Sequence, residues 1–308
     1  MTTKPLLSDR GRTYDSTAPH APSYAAIASS TATSTTTPAN GNGSGGNGTV
    51  LPTYTGAKGS WLSTQLAGNI DPNKCDWISV YGCLLTGFTS AVSFTACYVW
   101  PGFQTGNLAQ LAIAAARRFD PPETRRLGFQ KSDQQALTAL VMFWLGTSMG
   151  RIGARVGNTR RAWLLSTSIL QVFMAAIAAI LSQFSGESAY AHDRAHPSWA
   201  TPMGMGALAF LSASLGLQGI VGKRIGSAMN TTVVLTTTWV EIFNDPHLFA
   251  WRLVPSRDLR ISGVCGVLFG AFSARALLGV IGQGGTVGLL CLLRLVQAAW
   301  WVFIPSPA

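Results

Sequence analysis

The sequence predicts an all-α fold, a polytopic integral membrane helical bundle with six long spans and two short or broken helices. Of the 308 residues, 47% are hydrophobic and 11% are charged, whereas roughly a quarter of the residues of soluble domains are charged. The mean hydropathy is +0.27 despite a long polar N-terminal segment. The remaining apolar residues fall into runs near the ~20 residues that a helix needs to cross a bilayer.

Two regions follow from the composition. Residues 1–72 are rich in Ser, Thr, Gly and Pro, and such a segment has too little apolar surface to offset the entropy of ordering, so we expect a disordered tail. No apolar run follows its early basic residues, so we expect no signal peptide. Residues 73–308 form the predicted membrane domain, with halves at about 73–183 and 202–304.

The first long span, residues 77–99, is followed by a break at Pro101-Gly102 and a short apolar piece at 103–116. Proline cannot donate a backbone hydrogen bond, so backbone groups freed at the break need partners, which only protein or a water-filled cavity supplies at membrane depth. Polar residues after the break could be those partners or could line a solute site at the N-terminus of a half-helix. These residues are Gln104, Thr105 and Asn107.

Further long spans are predicted at 135–152, 163–183 and 202–221. A second short piece, 229–243, is rich in threonine, and threonine hydroxyls in it either contact solute or bond back to their own helix. The last long spans are predicted at 261–280 and 285–304. Whether the short pieces cross the membrane or re-enter stays open.

Basic residues lie in short clusters between the apolar runs, so the net charge of +10 indicates membrane topology, and nucleic acid is not expected as a partner. If every piece crosses, fourteen Lys and Arg lie on the side of the tail and six on the other. Cytoplasmic loops carry the excess of these residues. This count predicts that both termini face the cytosol, while the identity of the membrane stays open.

The two short pieces take comparable places in the two halves, which predicts a two-fold internal repeat. A shift of 130 residues places Thr105-Gly106-Asn107 on Leu235-Thr236-Thr237. Paired interrupted helices in two halves are typical of transporter binding sites.

The same segments resemble a known family, the YoaK-like membrane proteins of domain-of-unknown-function family 1275. The resemblance covers about residues 76–304 and implies a multi-span helical protein without a settled activity. The chain departs from the family pattern at Ser90, where an Asp is expected, and at Leu235-Thr236, where a second Thr-Gly is expected. The matching segments are Thr86-Gly87-Phe88, Ala91-Val92-Ser93-Phe94, Gln104-Thr105-Gly106-Asn107-Leu108, Leu215-Gly216-Leu217-Gln218 and Thr231-Thr232.

Few ionisable residues fall inside the predicted spans. Arg294 lies near the middle of its span, where an arginine costs about 2.5–3.5 kcal/mol on insertion scales. We therefore expect a partner, and the hypothesis is that Glu241 faces Arg294, a bound cation or a proton. Gln297, one turn from Arg294, would extend a polar interior. In the alternative, Glu241 ends its helix at the interface and Arg294 shifts outward through a misplaced boundary.

The chain is predicted not to be an enzyme. The segment Gly146-Thr147-Ser148-Met149-Gly150 matches a nucleophile elbow, but that motif needs a strand-to-helix turn, and here it lies in an apolar helical run. Close helix packing through Gly146 and Gly150 is favoured instead. Cysteines and histidines lack metal-ligand spacing, so we expect no metal and no cofactor.

Taken together, these features favour a secondary carrier or permease-like protein for a small solute, bound between the two broken regions. The alternative is a non-catalytic membrane scaffold or accessory protein acting through its tail and loops, and a membrane-embedded enzyme ranks below both. Expected partners are the lipid bilayer and a small-molecule solute, with a homo-oligomer left open. The candidate site residues are Gln104, Thr105, Asn107, Thr236, Thr237, Glu241 and Arg294.

Overall fold

A computed structural model describes residues 65–307 apart from 124, 126, 230 and 234. The disorder predicted for residues 1–64 lies outside this part of the chain. In the described residues the secondary structure is helical, and the β-type pairing consists of one isolated bridge between Asn69 and Arg160. The α-helices are α1 (Asp76–Cys97), α2 (Gln104–Ala116), α3 (Lys131–Ser148), α4 (Gly150–Val156), α5 (Arg161–Phe184), α6 (Pro202–Ile225), α7 (Thr236–Phe243) and α8 (Pro255–Phe303).

Four helices of the described part are long and apolar enough to cross a membrane: α1, α5, α6 and α8. Their mean hydropathies run from 1.4 to 2.2, which indicates a membrane protein. The span predicted at 135–152 corresponds to α3, which is not among the four. The second short helix begins at Thr236, later than predicted.

Helix α8 is two segments joined at Gly282, whose φ of 69° and ψ of −178° are not helical. Glycine adopts such a positive φ without the steric cost of a Cβ. Gly266 lies beside the Val80 carbonyl of α1, and the Leu293 carbonyl accepts a hydrogen bond from Tyr81 at 2.9 Å. Residues on either side of Gly282 therefore lie at the same level of α1, so the chain reverses there, as the two predicted spans require.

The bundle has two ends, which we call the near end and the far end. At the near end, the Ile70 amide bonds the Thr159 carbonyl and the Asp71 amide bonds the Pro305 carbonyl, both at 2.9 Å. The buried Ile70 shows that packing extends into the region assigned to the tail. The near end comprises residues 65–75, 157–161 and 304–306, and the far end comprises residues 95–98, 130–135 and 185–199.

Helices α1 and α6 are antiparallel. Ser79, near the start of α1, lies 3.1 Å from Ser227, just after α6, measured between their hydroxyl oxygens. At the far end the Ala96 carbonyl of α1 accepts from the Ser198 amide, just before α6, at 2.9 Å. Helix α1 thus runs from the near end to the far end, and α6 runs back.

Glycines let two helix pairs approach backbone to backbone. A Cβ added at Gly87 of α1 would overlap the Val267 carbonyl of α8, and one added at Gly270 of α8 would overlap the Leu84 carbonyl of α1. The same reciprocal contact joins α3 and α6, through Gly146 on the Ala213 carbonyl and Gly216 on the Phe143 carbonyl. Small residues commonly mediate such approaches in membranes.

Glycines of the described helices serve in packing at some positions and end a helix at another. The packing role of Gly146 and Gly150 is confirmed, since an added Cβ at Gly150 would overlap Ile220. Gly226 instead follows the end of α6 with a left-handed φ of 76° and has no neighbour within 4 Å of an added Cβ. It serves as a helix C-cap rather than an interface.

Replacing Gly270 by Ala is expected to lower the thermal midpoint of the detergent-purified protein, because the new Cβ would push α8 away from the Leu84 carbonyl. Such overpacking costs typically about 1–3 kcal/mol. The matched control is Gly288→Ala in the same helix, where an added Cβ meets nothing within 4 Å and alanine improves helix propensity by roughly 1 kcal/mol. Equal midpoints for the two variants would contradict the packing described.

Candidate solute site

The first break folds back into the bundle. Tyr98 ends α1 in a left-handed conformation with φ of 56°, and the Trp100 ring stacks on Phe94 of α1 with ring centroids 4.0 Å apart. A Cβ at Gly102 would lie 3.0 Å from Val233 and 3.2 Å from Leu215, which is in the middle of α6. The chain has therefore turned from the far end toward the centre of the bundle.

Helix α2 then returns to the far end. The Gln110 side chain donates to the Ser132 carbonyl at 3.3 Å. Beyond the helix, Arg117 forms an ion pair with Asp133 at 2.6 Å, and this hydrogen bond raises the pKa of Arg117. Asp133 also accepts from the Gln130 amide and so caps the start of α3. The first break and α2 thus begin and end at the same end of the bundle.

The second break repeats this course from the near end. After Gly226, the chain folds back so that the Thr232 carbonyl accepts from Thr86 of α1 at 2.7 Å. Val233, next in the chain, lies against Gly102 of the first break. Helix α7 then carries Glu241 to Arg260, near the start of α8, at 2.9 Å. The two breaks therefore enter from opposite ends and meet in the interior.

At the first break, two of the three predicted polar residues satisfy freed carbonyls. Gln104 donates to the Pro101 carbonyl at 2.7 Å. Asn107, 2% exposed, donates to the Trp100 carbonyl and to the Gln104 side-chain oxygen, both at 3.0 Å. Thr105 is exposed. The sequence left open whether these residues bond freed backbone groups or line a solute site, and these hydrogen bonds go to backbone groups.

At the second break, Thr236, Thr237 and Glu241 are exposed in the described structure. The predicted approach of Glu241 to Arg294 is wrong. Helix α7 returns to the near end and brings Glu241 to Arg260, whereas Arg294 lies on the second segment of α8, against α5. The carboxylate and this arginine belong to different regions of the molecule.

Arg294 is fully buried, so the alternative of an outward shift is wrong as well. Its Nη1 donates to the side-chain oxygen of Gln171 at 2.6 Å and to that of Gln297 at 3.2 Å. The expected polar interior around Arg294 and Gln297 is thus confirmed. Sequence reasoning missed Gln171, although an amide in an apolar span is the same signal that singled out Gln297.

Two open cavities flank the breaks. A cavity of about 560 Å³ at the far end borders α2, and one of about 530 Å³ borders α7. The contact of Gly102 with Val233 and Leu215 lies between them. The far-end cavity is lined by residues including Trp100, Asn107, Gln110, Arg117 and Arg194, and the second, which we call the near-end cavity, by residues including Thr147, Lys223, Val233, Thr237 and Glu241.

Comparison with known proteins identifies the family. The family model described as "Protein of unknown function (DUF1275)" matches residues 78–300. The chain belongs to this family. The resemblance read from the sequence to domain-of-unknown-function family 1275 is thereby confirmed, and the DUF1275 match spans both breaks and both cavities. No curated protein and no solved structure gave a significant match.

Replacing Asn107 by Ala is expected to destabilise the protein, because the buried Asn107 side chain donates to both the Trp100 carbonyl and the Gln104 side-chain oxygen, and both hydrogen bonds are lost. Each such hydrogen bond contributes about 0.5–1.5 kcal/mol net. The measurement is the thermal midpoint in detergent, with Thr105→Ala as the control, since Thr105 is exposed two residues away. A midpoint for Asn107→Ala equal to that of Thr105→Ala would contradict the role assigned to Asn107.

Proposed function

We propose that this DUF1275 protein is a secondary carrier or permease-like protein for a small solute. The observation that supports this most directly is the pair of cavities of about 560 and 530 Å³, one beside each break and at opposite ends. In this proposal the contact of Gly102 with Val233 and Leu215, where the two breaks meet, is the barrier that separates the two cavities. A carrier needs a barrier of this kind, which opens to let the solute pass from one cavity to the other.

The proposal includes six crossings and two re-entrant half-helices. Each break and its short helix begin and end at one end of the bundle, which favours re-entry over crossing. The crossings are then α1, α3 extended by α4, α5, α6 and the two segments of α8. Three crossings in each half invert the second half relative to the first, as in the inverted repeats of many carriers.

Helix pairing supports a two-fold repeat of this kind. In the proposed correspondence α1 matches α6, α2 matches α7, α3 matches the first segment of α8, and α5 matches its second segment. The pair α1 and α8 is then equivalent to the pair α6 and α3. Both pairs carry the reciprocal glycine contacts, at Gly87 with Gly270 and at Gly216 with Gly146.

The proposed solute path uses the polar groups of both breaks. At the far end, Gln104 and Asn107 hold the backbone of the first break, and Asn107 lines the cavity there. Thr105 is exposed but does not line this cavity. At the near end, Thr237 and Glu241 line the second cavity, and Glu241 is paired there with Arg260. Thr236 is exposed but does not line this cavity. Arg294 and its amide partners line neither cavity, so the proposed path does not include them.

The re-entrant topology is tested by cysteine labelling. In this topology the loop containing Glu123 and the C-terminal segment containing Ser306 face opposite sides, whereas crossing by both short helices puts them on the same side. We expect an impermeant maleimide added to intact cells to label one of Glu123→Cys and Ser306→Cys, and the other only after permeabilisation. The wild type controls for its own cysteines, and labelling of both positions from one side would refute re-entry.

The carrier function is tested at the barrier between the cavities. A solute is first found as one that raises the thermal midpoint of the wild type but not of an Asn107→Ala, Glu241→Gln double variant, since ligands stabilise the state that binds them. In proteoliposomes, Gly102→Val is expected to abolish flux of that solute, because the added methyls press on Val233 and Leu215.

The matched control for this flux measurement is Gly106→Ala, four residues further on, where an added Cβ meets nothing within 4 Å and flux should persist. A chain lacking residues 1–64 should also retain flux if the membrane domain is the carrier. A folded wild type that moves no stabilising solute, together with loss of a bound protein on removing those residues, would favour the scaffold alternative instead.

A further inference from the structure

A third, much smaller cavity lies toward the near end of the bundle, apart from the two larger cavities. Its volume is about 20 Å³, and a cavity needs roughly 10–15 Å³ on this measure to hold one water molecule. It lies between α1, α5, α6 and the second segment of α8. Its polar lining consists of Ser79, Ser168, Gln171, Gln218, Thr232 and Gln297.

Arg294 orients two of the three amide side chains that line this cavity. The third, Gln218, donates its NH₂ group to Gly82, Thr86 and Thr232, and its side-chain oxygen has no partner. A guanidinium has only donors, so the side-chain oxygens of Gln171 and Gln297 both turn to its Nη1. The amide NH₂ groups of these two glutamines therefore remain for the cavity they line. Ser168 accepts a hydrogen bond from the Trp301 indole at 2.9 Å, so its own hydroxyl hydrogen is also left to donate.

The charge of Arg294 lies directly behind these donors. In the described residues no carboxylate forms an ion pair with it, and its Nε and Nη2 atoms have no hydrogen-bond partner. An uncompensated buried charge is strongly unfavourable. The guanidinium does not itself line the cavity, and the amides of Gln171 and Gln297 lie between it and the cavity. An anion bound in the cavity would compensate the positive charge of Arg294 across these two amides.

We propose that this cavity binds a small monovalent inorganic anion. The volume selects a particle close in size to water, of which fluoride and chloride are the available probes, and it excludes organic anions. Donors from Gln171, Gln297 and Ser168 replace part of the hydration shell, and Arg294 supplies the opposite charge. Thr232 of the second break also lines the cavity, so the anion would lie directly behind the point where the breaks meet.

The test is a thermal-unfolding titration of the full-length protein in detergent with sodium fluoride, sodium chloride or sodium gluconate at equal ionic strength. We expect fluoride or chloride to raise the midpoint in a saturable way and gluconate, which is too large for the cavity, to leave it unchanged. An equal rise in all three salts, or no rise with either halide in a folded wild type, would overturn the proposal.

Two variants make the test specific. Arg275→Gln removes a charge from the same helix at an exposed position, where Arg275 contacts Tyr190 at 3.3 Å, and it should keep the halide effect. Gln171→Glu places a carboxylate beside Arg294, so it should raise the midpoint in gluconate and abolish the halide effect. Gln171→Glu therefore tests the site while Arg294 is kept and has a charged partner. Arg294→Gln would instead remove the arginine itself.

A halide effect that persists in Gln171→Glu, or that disappears in Arg275→Gln, would also overturn the proposal. The result is separate from the proposed carrier function, because the titration measures binding and needs no flux. If the wild type binds halide but neither the wild type nor Gly102→Val moves any solute, the anion site is supported and the carrier function is rejected.

Discussion

A backbone group freed by a break in a helix must find a partner within the protein when water is scarce, and this constraint organises the centre of the molecule. A side chain several residues along the sequence can reach a freed backbone group only if the chain folds back. Asn107 reaches the Trp100 carbonyl because α2 starts where the turn ends. At the second break, Thr86 supplies the donor for the Thr232 carbonyl from a different helix, so satisfying the backbone also ties the two halves together.

Much of this arrangement could be predicted from local pattern. The Pro101-Gly102 break, the amide residues that cap it and the close packing of Gly146 follow from chemistry within a few neighbouring residues. Hydropathy also predicts two separate spans on either side of Gly282, the residue at which the backbone of α8 is not helical. Each of these features depends on what one segment needs in order to remain in a membrane.

Pairings across the fold could not be predicted in the same way. Glu241 and Arg294 were matched because opposite charges at membrane depth attract, but the distance between them depends on where α7 points after the turn, and periodicity contains no such information. Gln171 was overlooked for a related reason. A single amide in an apolar span has the same appearance whether it faces lipid, a helix neighbour or a buried guanidinium.

The reciprocal glycine contacts also limit how the molecule can move. Helix α1 of the first proposed half packs on α8 of the second, and α3 of the first half packs on α6 of the second. The two halves are therefore interlaced rather than set side by side. A rocking of one half against the other would have to separate backbones that are in contact at Gly87, Gly270, Gly146 and Gly216. Under the proposed carrier function, displacement of the two breaks would leave those contacts closed, so that opening of the path would be a local event within a fixed frame of long helices.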